Sequence, residues 1–377
     1  MKRLIALSLF AAPLLGGYAW QAQISIPAPA ASHTDFTVPV CVTDAKLRPV
    51  ASGGQIQHSV VRTYGGFSQT VPADFVISSD AAYTSLYNWG FKSWDQSTGK
   101  ACFVFRVPSW TGSFTAYLSI GDPSITTYQG GSIGSEFDSH TKAFWHFGDG
   151  SSVMLADFSA SALHATNSGA TASTSSFDGG VSFGGSARAS AGANKTALQP
   201  ASVTLGCLAK LNSTSQGGFA WMVTQDYATP RSSPYAAYAL MTNDSGSGVW
   251  SWWFDLGGGT NRITSASARD TSQHYVAGTV QSGAQALYID SSTPAATGTV
   301  SGSLSYSSSG VFTFGGNSDG GENANVVLAD CSVADVVRSG SWIGDTATLY
   351  LSPPTAGAFS ALATSSFVAG PSVIVVP

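Results

Sequence analysis

The stretch GVWSWWFDLGGG, Gly248 to Gly259, sets three tryptophans and a phenylalanine within five residues, beside a run of glycines. An extended strand turns successive side chains to opposite faces, so Trp250, Trp252 and Phe254 share one face while Ser251, Trp253 and Asp255 share the other. The first set reads as the inside of a β-sandwich. The second places an aromatic ring two residues from a carboxylate, a pairing that can stack on a sugar and accept from its hydroxyls.

Composition extends this local reading to the whole chain. Charged residues make up 10% of it, against about 25% in an average soluble protein. Gly, Ser, Ala and Thr dominate, which predicts a neutral, hydroxyl-rich surface. Long helices need Glu, Lys, Gln and Leu in quantity, and their 3.6-residue period is almost absent. The chain is therefore read as all-β. Its 377 residues are enough for two domains with substantial cores. Net charge is −5 and the sixteen Lys and Arg are scattered, so no basic stripe is available for phosphates and nucleic acid is not an expected partner.

The first residues, MKRLIALSLFAAPLLGGYA, carry Lys2 and Arg3, an apolar run from Leu4 to Leu15, then Gly17 and Ala19 as small residues. This layout predicts a secretory signal over 1–19. Pro13 and the pair Gly16 and Gly17 end the apolar run too early for a membrane span of about 20 residues. A secreted or cell-surface protein with no stable span after signal removal is expected. Four cysteines, Cys41, Cys102, Cys207 and Cys331, suit an oxidising compartment, and no C-x-x-C points to zinc or redox chemistry. Two disulfides and four buried thiols both fit. If the cysteines pair, domain logic favours Cys41 with Cys102 and Cys207 with Cys331, although spacing alone does not give connectivity.

Short apolar or alternating runs bounded by Pro, Gly, Asp or Ser fill the chain: WQAQISIP, FTVPVCVTD, DFVISS, KACFVFRVPS and FTAYLSIGDP, then KAFWHFGDG, SVTLGCLAKL, GFAWMVTQD, YAAYALMTND, VWSWWFDL, HYVAGTVQ, QALYIDS, GVFTFGGN and ANVVLADCSVADVV. They predict an N-terminal antiparallel sandwich over residues 20–135 and a second β domain over 136–352. The Ser/Ala/Thr/Gly-rich interval near 159–190 is expected to form long surface connections. The tail, 353–377, is expected either to pack strand-like on one domain or to lie loose.

The second series resembles laminin-G-like, concanavalin A-like jelly rolls. AFWHFGDG followed by LADFSASALHATNSGA is similar to their opening strand and Asp-Ser-rich turn, and SVTLGCLAKL to a following strand, with Leu208 where Trp is common. HYVAGTVQSGAQALYIDS resembles their hairpin, with Ser291 in place of Gly, and FTFGGN and VADVVRSGSWIGDTATLY complete the order. WQAQISI, TDFTVPVCV, ADFVISSD, WGFKSWDQSTGKACFVFRVPS and AYLSIGDP resemble a bacterial domain of unknown function that commonly precedes such modules. The resemblance implies two β-sandwiches, the second a jelly roll.

Glycosidic hydrolysis calls for two carboxylates about 5–9 Å apart across a cleft. Glu136 and Glu322 are the only glutamates, far apart in sequence, and neither lies in the Glu-x-Asp-x-x-Glu strand of jelly-roll glycosidases. No catalytic activity is expected, and the six histidines are read as ordinary hydrogen-bonding side chains. Loops of this fold class sometimes hold Ca²⁺ through carboxylates and carbonyls. Asp149, Asp157 and Asp330 are the candidate ligands, with ordinary turn-forming roles as the alternative. For a glycan, Trp253 with Asp255 is the first candidate pair, and Asn317, Asp319 and Tyr227 lie in turns that could reach the same edge. Trp253 could equally pack beneath a neighbouring loop.

Two roles follow. The first is non-catalytic carbohydrate binding or adhesion through a glycan or cell-surface polysaccharide. The alternative is a structural or decoration component of a virion or extracellular filament, with the jelly roll contacting other copies of itself or surface proteins.

Overall fold

The protein is all-β and two-layered twice over. A computed structural model describes residues 17–362, so most of the segment read as a signal, 1–19, and residues 363–377 of the tail lie outside the described residues. Every pairing between the named strands is antiparallel.

In the first sandwich, one sheet runs in the order Ser360–Ala361, Trp20–Ile26, Phe114–Ile120, Phe75–Ser78, and the facing sheet His33–Thr43, Lys100–Trp110, Asn88–Asp95. Alternation sends Ile24, Val38, Val40, Phe75, Phe91, Phe103 and Leu118 between the sheets, all fully buried. Cys41 and Cys102 face each other across adjacent strands and form a disulfide. The pairing of Ser360–Ala361 with Trp20 and Gln21 gives the tail a place on this sandwich.

The second sandwich faces a nine-stranded sheet with a seven-stranded one, ordered Thr166–Ser168, Arg188–Ala193, Val311–Phe314, Ala220–Asp226, Ala236–Asn243, Val249–Leu256, Gly259–Ala268. Trp250, Trp252 and Phe254 enter its core with Trp145, Tyr238 and Phe312. Trp252 lies flat over Gly278, where a Cβ would come within 2.2 Å of the ring, so only glycine fits there. The Trp252 indole N–H donates to the Thr279 carbonyl at 3.1 Å. Cys207 and Cys331 form the second disulfide, joining neighbouring strands of the larger sheet.

One expectation needs correction, and one element was not anticipated. The interval 159–190 is not only surface connection: Thr166–Ser168, Thr171–Ser175 and Asp178–Phe183 are strands, and Arg188–Ala193 begins in it. Backbone pairing needs no large side chains, and Phe177, Val181 and Phe183 suffice to anchor these small-residue strands to the core. The segment ending VRSGSWIGDTATLY is helical over Gly340–Leu351. Ser339 caps it by accepting from the Trp342 N–H at 3.2 Å, and Ile343, Ala347 and Tyr350 recur on one face.

That helix sits where the two sandwiches meet. Its Ile343, Ala347 and Tyr350 join Tyr64, Val104, Phe144, Phe158 and Leu208 in a junctional core built from both domains. Asp345 accepts from the Ala30 N–H at 3.0 Å and lies 2.7 Å from His33 Nε2. A fully buried polar trio crosses the same junction. Lys92 Nζ of the first sandwich donates to Asp330 Oδ2 at 2.5 Å, and His146 Nδ1 lies 2.6 Å from Asp330 Oδ1. Burial pushes the His146 pKa down, which keeps the ring neutral and donating through Nδ1. Nearby, Glu136 is enclosed, and neither carboxylate oxygen has a donor in good hydrogen-bonding geometry. Desolvation lifts its pKa to about 7, against the opposing influence of backbone donors, Arg62 and Arg106.

Candidate ligand-binding cleft

Three strands, Ala220–Asp226, Ala236–Asn243 and Val249–Leu256, turn one face to the core and the other away from it. On the outer face Trp221, Ala239, Met241 and Trp253 form a small apolar cluster of their own. The rings of Trp221 and Trp253 lie 5.1 Å apart at 56°. This cluster floors a cleft of about 480 Å³, within the usual size of a small-molecule site (roughly 300–1,000 Å³).

Two loops build the walls. From residues 227–235 come Arg231 and Tyr235, and from the segment after Phe314 come Asn317, Asp319 and Glu322. The Arg231 guanidinium lies 4.6 Å from the centre of the Trp221 ring and 5.6 Å from that of Tyr235. Glu322 Oε2 holds the arrangement together. It accepts from Arg231 Nη1 at 2.5 Å, Trp221 Nε1 at 2.7 Å and Asn317 Nδ2 at 2.9 Å. Behind Arg231, Asp226 accepts from the Ser318 N–H at 2.7 Å, and its Oδ1 lies 3.6 Å from Arg231 Nε. Desolvation raises the Asp226 pKa, with Ser318 and Arg231 opposing.

Tyr235 is the exposed part of the wall, at 45%. Its φ of 71° places a non-glycine residue in the left-handed region, which costs roughly 1–2 kcal/mol. That strain presents the ring outward at the cleft mouth.

Trp253, Asn317 and Asp319 thus come together, although Trp253 is only 6% exposed and forms floor rather than rim. Asp255 and Tyr227 do not line the cleft. Asp255 is wholly enclosed, with neither carboxylate oxygen in hydrogen-bonding geometry with a donor, and burial raises its pKa despite the Ser305 hydroxyl. Tyr227 instead anchors the loop by donating its backbone N–H to the Tyr235 carbonyl at 3.1 Å. The sequence reading missed Trp221, Arg231, Tyr235 and Glu322. One signal was available: GFAWMVTQD is a buried-strand pattern, and its alternation puts Trp221 opposite Met222.

The three candidate calcium ligands are separately committed. Asp149 accepts from the N–H and hydroxyl groups of Ser151 and Ser152 in a local turn. Asp157 accepts from the N–H groups of Phe144, Ser159 and Leu163 and from the Ser159 hydroxyl. Asp330 belongs to the junctional trio. Among the described residues no three His, Cys, Asp or Glu gather into a metal-holding group, so these aspartates do not form one donor set. Also among the described residues, no helix is long and apolar enough to cross a membrane.

Residues 183–344 match the family model of the concanavalin A-like lectin/glucanases superfamily, laminin G type. The second sandwich is a concanavalin A-like domain. Similar solved structures include domain 4 of AbnA, a GH43 extracellular arabinanase from Geobacillus stearothermophilus, in complex with arabinotriose. It is 11% identical with a TM-score of 0.44, over 55% of this chain and 98% of that one. The binding domain of Paraclostridial Mosquitocidal Protein 1 is 11% identical with a TM-score of 0.40, over 52% of this chain and 48% of that one, so this chain spans about half its length. Trypanosoma rangeli sialidase in complex with the inhibitor DANA is 12% identical with a TM-score of 0.41, over 78% of this chain and 52% of that one. No curated protein matches the chain.

Proposed function

We propose that this is a secreted or cell-surface, non-catalytic carbohydrate-binding protein that uses the outer cleft of its concanavalin A-like domain. One observation carries the reading. Among the described residues of that domain, Tyr235 is the only exposed large hydrophobic side chain, and it stands at the mouth of the aromatic-floored cleft. An aromatic face beside short polar groups is what a pyranose needs, since sugars present C–H faces to rings and hydroxyls to carboxylates and amides. The same observation weighs against the jelly roll as a broad apolar assembly interface.

Two disulfides suit an oxidising compartment. The first sandwich is read as the companion domain that its sequence resembles. The reading is supported by Glu322 Oε2 accepting from Arg231, Trp221 and Asn317, which commits that oxygen to orienting them.

A glycan array on the purified chain tests the reading, with Tyr235→Ala as the control. Binding to a restricted set of glycans, lost in the variant, is expected. A blank array, or binding undiminished in Tyr235→Ala, overturns it, and release of reducing sugar from a bound glycan overturns the non-catalytic part.

A further inference from the structure

The cleft has hydrogen-bonding capacity that the protein itself leaves unmet. Trp253 Nε1, Arg231 Nε and Arg231 Nη2 are buried and make no hydrogen bond, on side chains that are themselves more than nine-tenths covered. Only Asp226, 3.6 Å from Arg231 Nε, faces any of them as a charge partner. A buried donor without an acceptor loses its hydration for nothing in return, and buried polar groups are normally paired. All the unmet atoms on these two side chains are N–H donors. Glu322 Oε2, the acceptor that Arg231 does use, already takes three donors. Asn317 Oδ1 is likewise committed, accepting from the Gly321 N–H at 3.2 Å.

A complementary ligand must therefore bring acceptors to the floor. It must also bring apolar surface for Trp221, Phe219 and Tyr235, while exposed Asp319 at the rim accepts a hydroxyl. Charge decides between the sugars that carry a carbonyl or carboxylate oxygen. Asp319 and Glu322 line the cleft and Asp226 backs it, against Arg231 within and Arg188 beside Gly320. Three carboxylates against two guanidiniums make a poor seat for another anion.

Resting on the carbohydrate reading above, we infer that the cleft selects a neutral N-acetylated hexosamine. Its acetamido oxygen takes the unmet N–H donors, its methyl packs on the rings, and a ring hydroxyl donates to Asp319. Because these donors are buried while their side chains line the cleft, binding must shift the Arg231 side chain from its place over Trp221 and Tyr235.

Calorimetry and saturation-transfer NMR on the full chain test this with the methyl glycosides of N-acetylglucosamine, N-acetylgalactosamine, glucose and glucuronic acid. At least one acetamido sugar is expected to bind about tenfold or more tighter than the glucoside, a difference of about 1.4 kcal/mol. Its acetyl methyl should receive the strongest saturation. Trp253→Phe, which removes one donor and keeps a ring, should shrink that preference, and Tyr235→Ala should weaken all binding. Equal affinity for glucoside and acetamido sugar, tighter binding of the glucuronide, or a preference unchanged in Trp253→Phe overturns the inference while leaving carbohydrate binding intact. No binding to any probe, together with a blank glycan array, overturns both.

Discussion

The two faces of the strand Val249–Leu256 are equally buried and oppositely satisfied. On the inner face Trp250, Trp252 and Phe254 lie in the main core, and the Trp252 N–H has its acceptor in Thr279. On the outer face the Ser251 hydroxyl, the Trp253 N–H and both Asp255 oxygens all lack hydrogen bonds. One face is finished by the fold. The other is covered yet incomplete, and the cleft lies on it. The difference teaches that burial alone does not separate core from site, and that unmet donors count toward a site only where, as at Trp253 and Arg231, their side chains also line a cleft.

The Lys92–Asp330 pair at the junction between the sandwiches provides the strongest test of what a buried ion pair is worth. Lys92→Met should cost about 3–5 kcal/mol in chemical denaturation, because it strands the Asp330 carboxylate in a dry interface. A loss below about 1 kcal/mol would mean that water reaches the pair.

Glu136 is the incomplete counterpart within that junction. Its folded-state pKa of about 7 lies above the ordinary 4.5, so between these values the native state holds more protons than the unfolded chain. Stability from this group is therefore full below pH 4.5 and falls as pH rises through 7. Glu136→Gln should leave stability unchanged at pH 4 and raise it at pH 8 by up to about 3 kcal/mol. Melting curves at the two pH values check this, and a variant less stable at pH 8 would show that the carboxylate has partners.

On the strand itself, the same substitution on each face sharpens the contrast. Trp252→Phe should cost about 2 kcal/mol, through a core cavity and the loss of the donor to Thr279. Trp253→Phe also leaves a cavity in the outer cluster, but it deletes a donor that bonds to nothing and should cost less than Trp252→Phe by about 1 kcal/mol. Equal losses in urea titrations would erase the distinction.

The smallest stability effect belongs to Tyr235→Gly. Relief of the left-handed backbone, roughly 1–2 kcal/mol, is offset by the extra freedom glycine gives the unfolded chain, about 0.5–1 kcal/mol, together with loss of the Arg231 contact on the Tyr235 ring. Stability should stay within about 0.5 kcal/mol of the parent while glycan binding is lost. A strongly destabilised variant would make Tyr235 a packing residue instead.

Much of the fold was legible because strand alternation is local. Period two is enough to send Trp250, Trp252 and Phe254 inward and Trp253 outward, and the scarcity of helix-forming residues is enough for an all-β chain. The helix Gly340–Leu351 escaped that reading because its apolar spacing is short and stands alone in a chain almost without helical period. The cleft was half legible. Trp253, Asn317 and Asp319 were accessible as an aromatic and two turn residues, whereas Arg231 and Glu322 matter only because 91 positions of intervening chain bring them together.

The sequence alone determined which way each strand side chain points, since that follows from backbone geometry within a few residues. Only the tertiary structure decided which polar atoms found partners. Asp330 meets Lys92 across 238 positions and His146 across 184, while Trp253 Nε1 meets none. Hydrogen-bond satisfaction depends on groups that the chain brings together from far apart, and no local pattern encodes it.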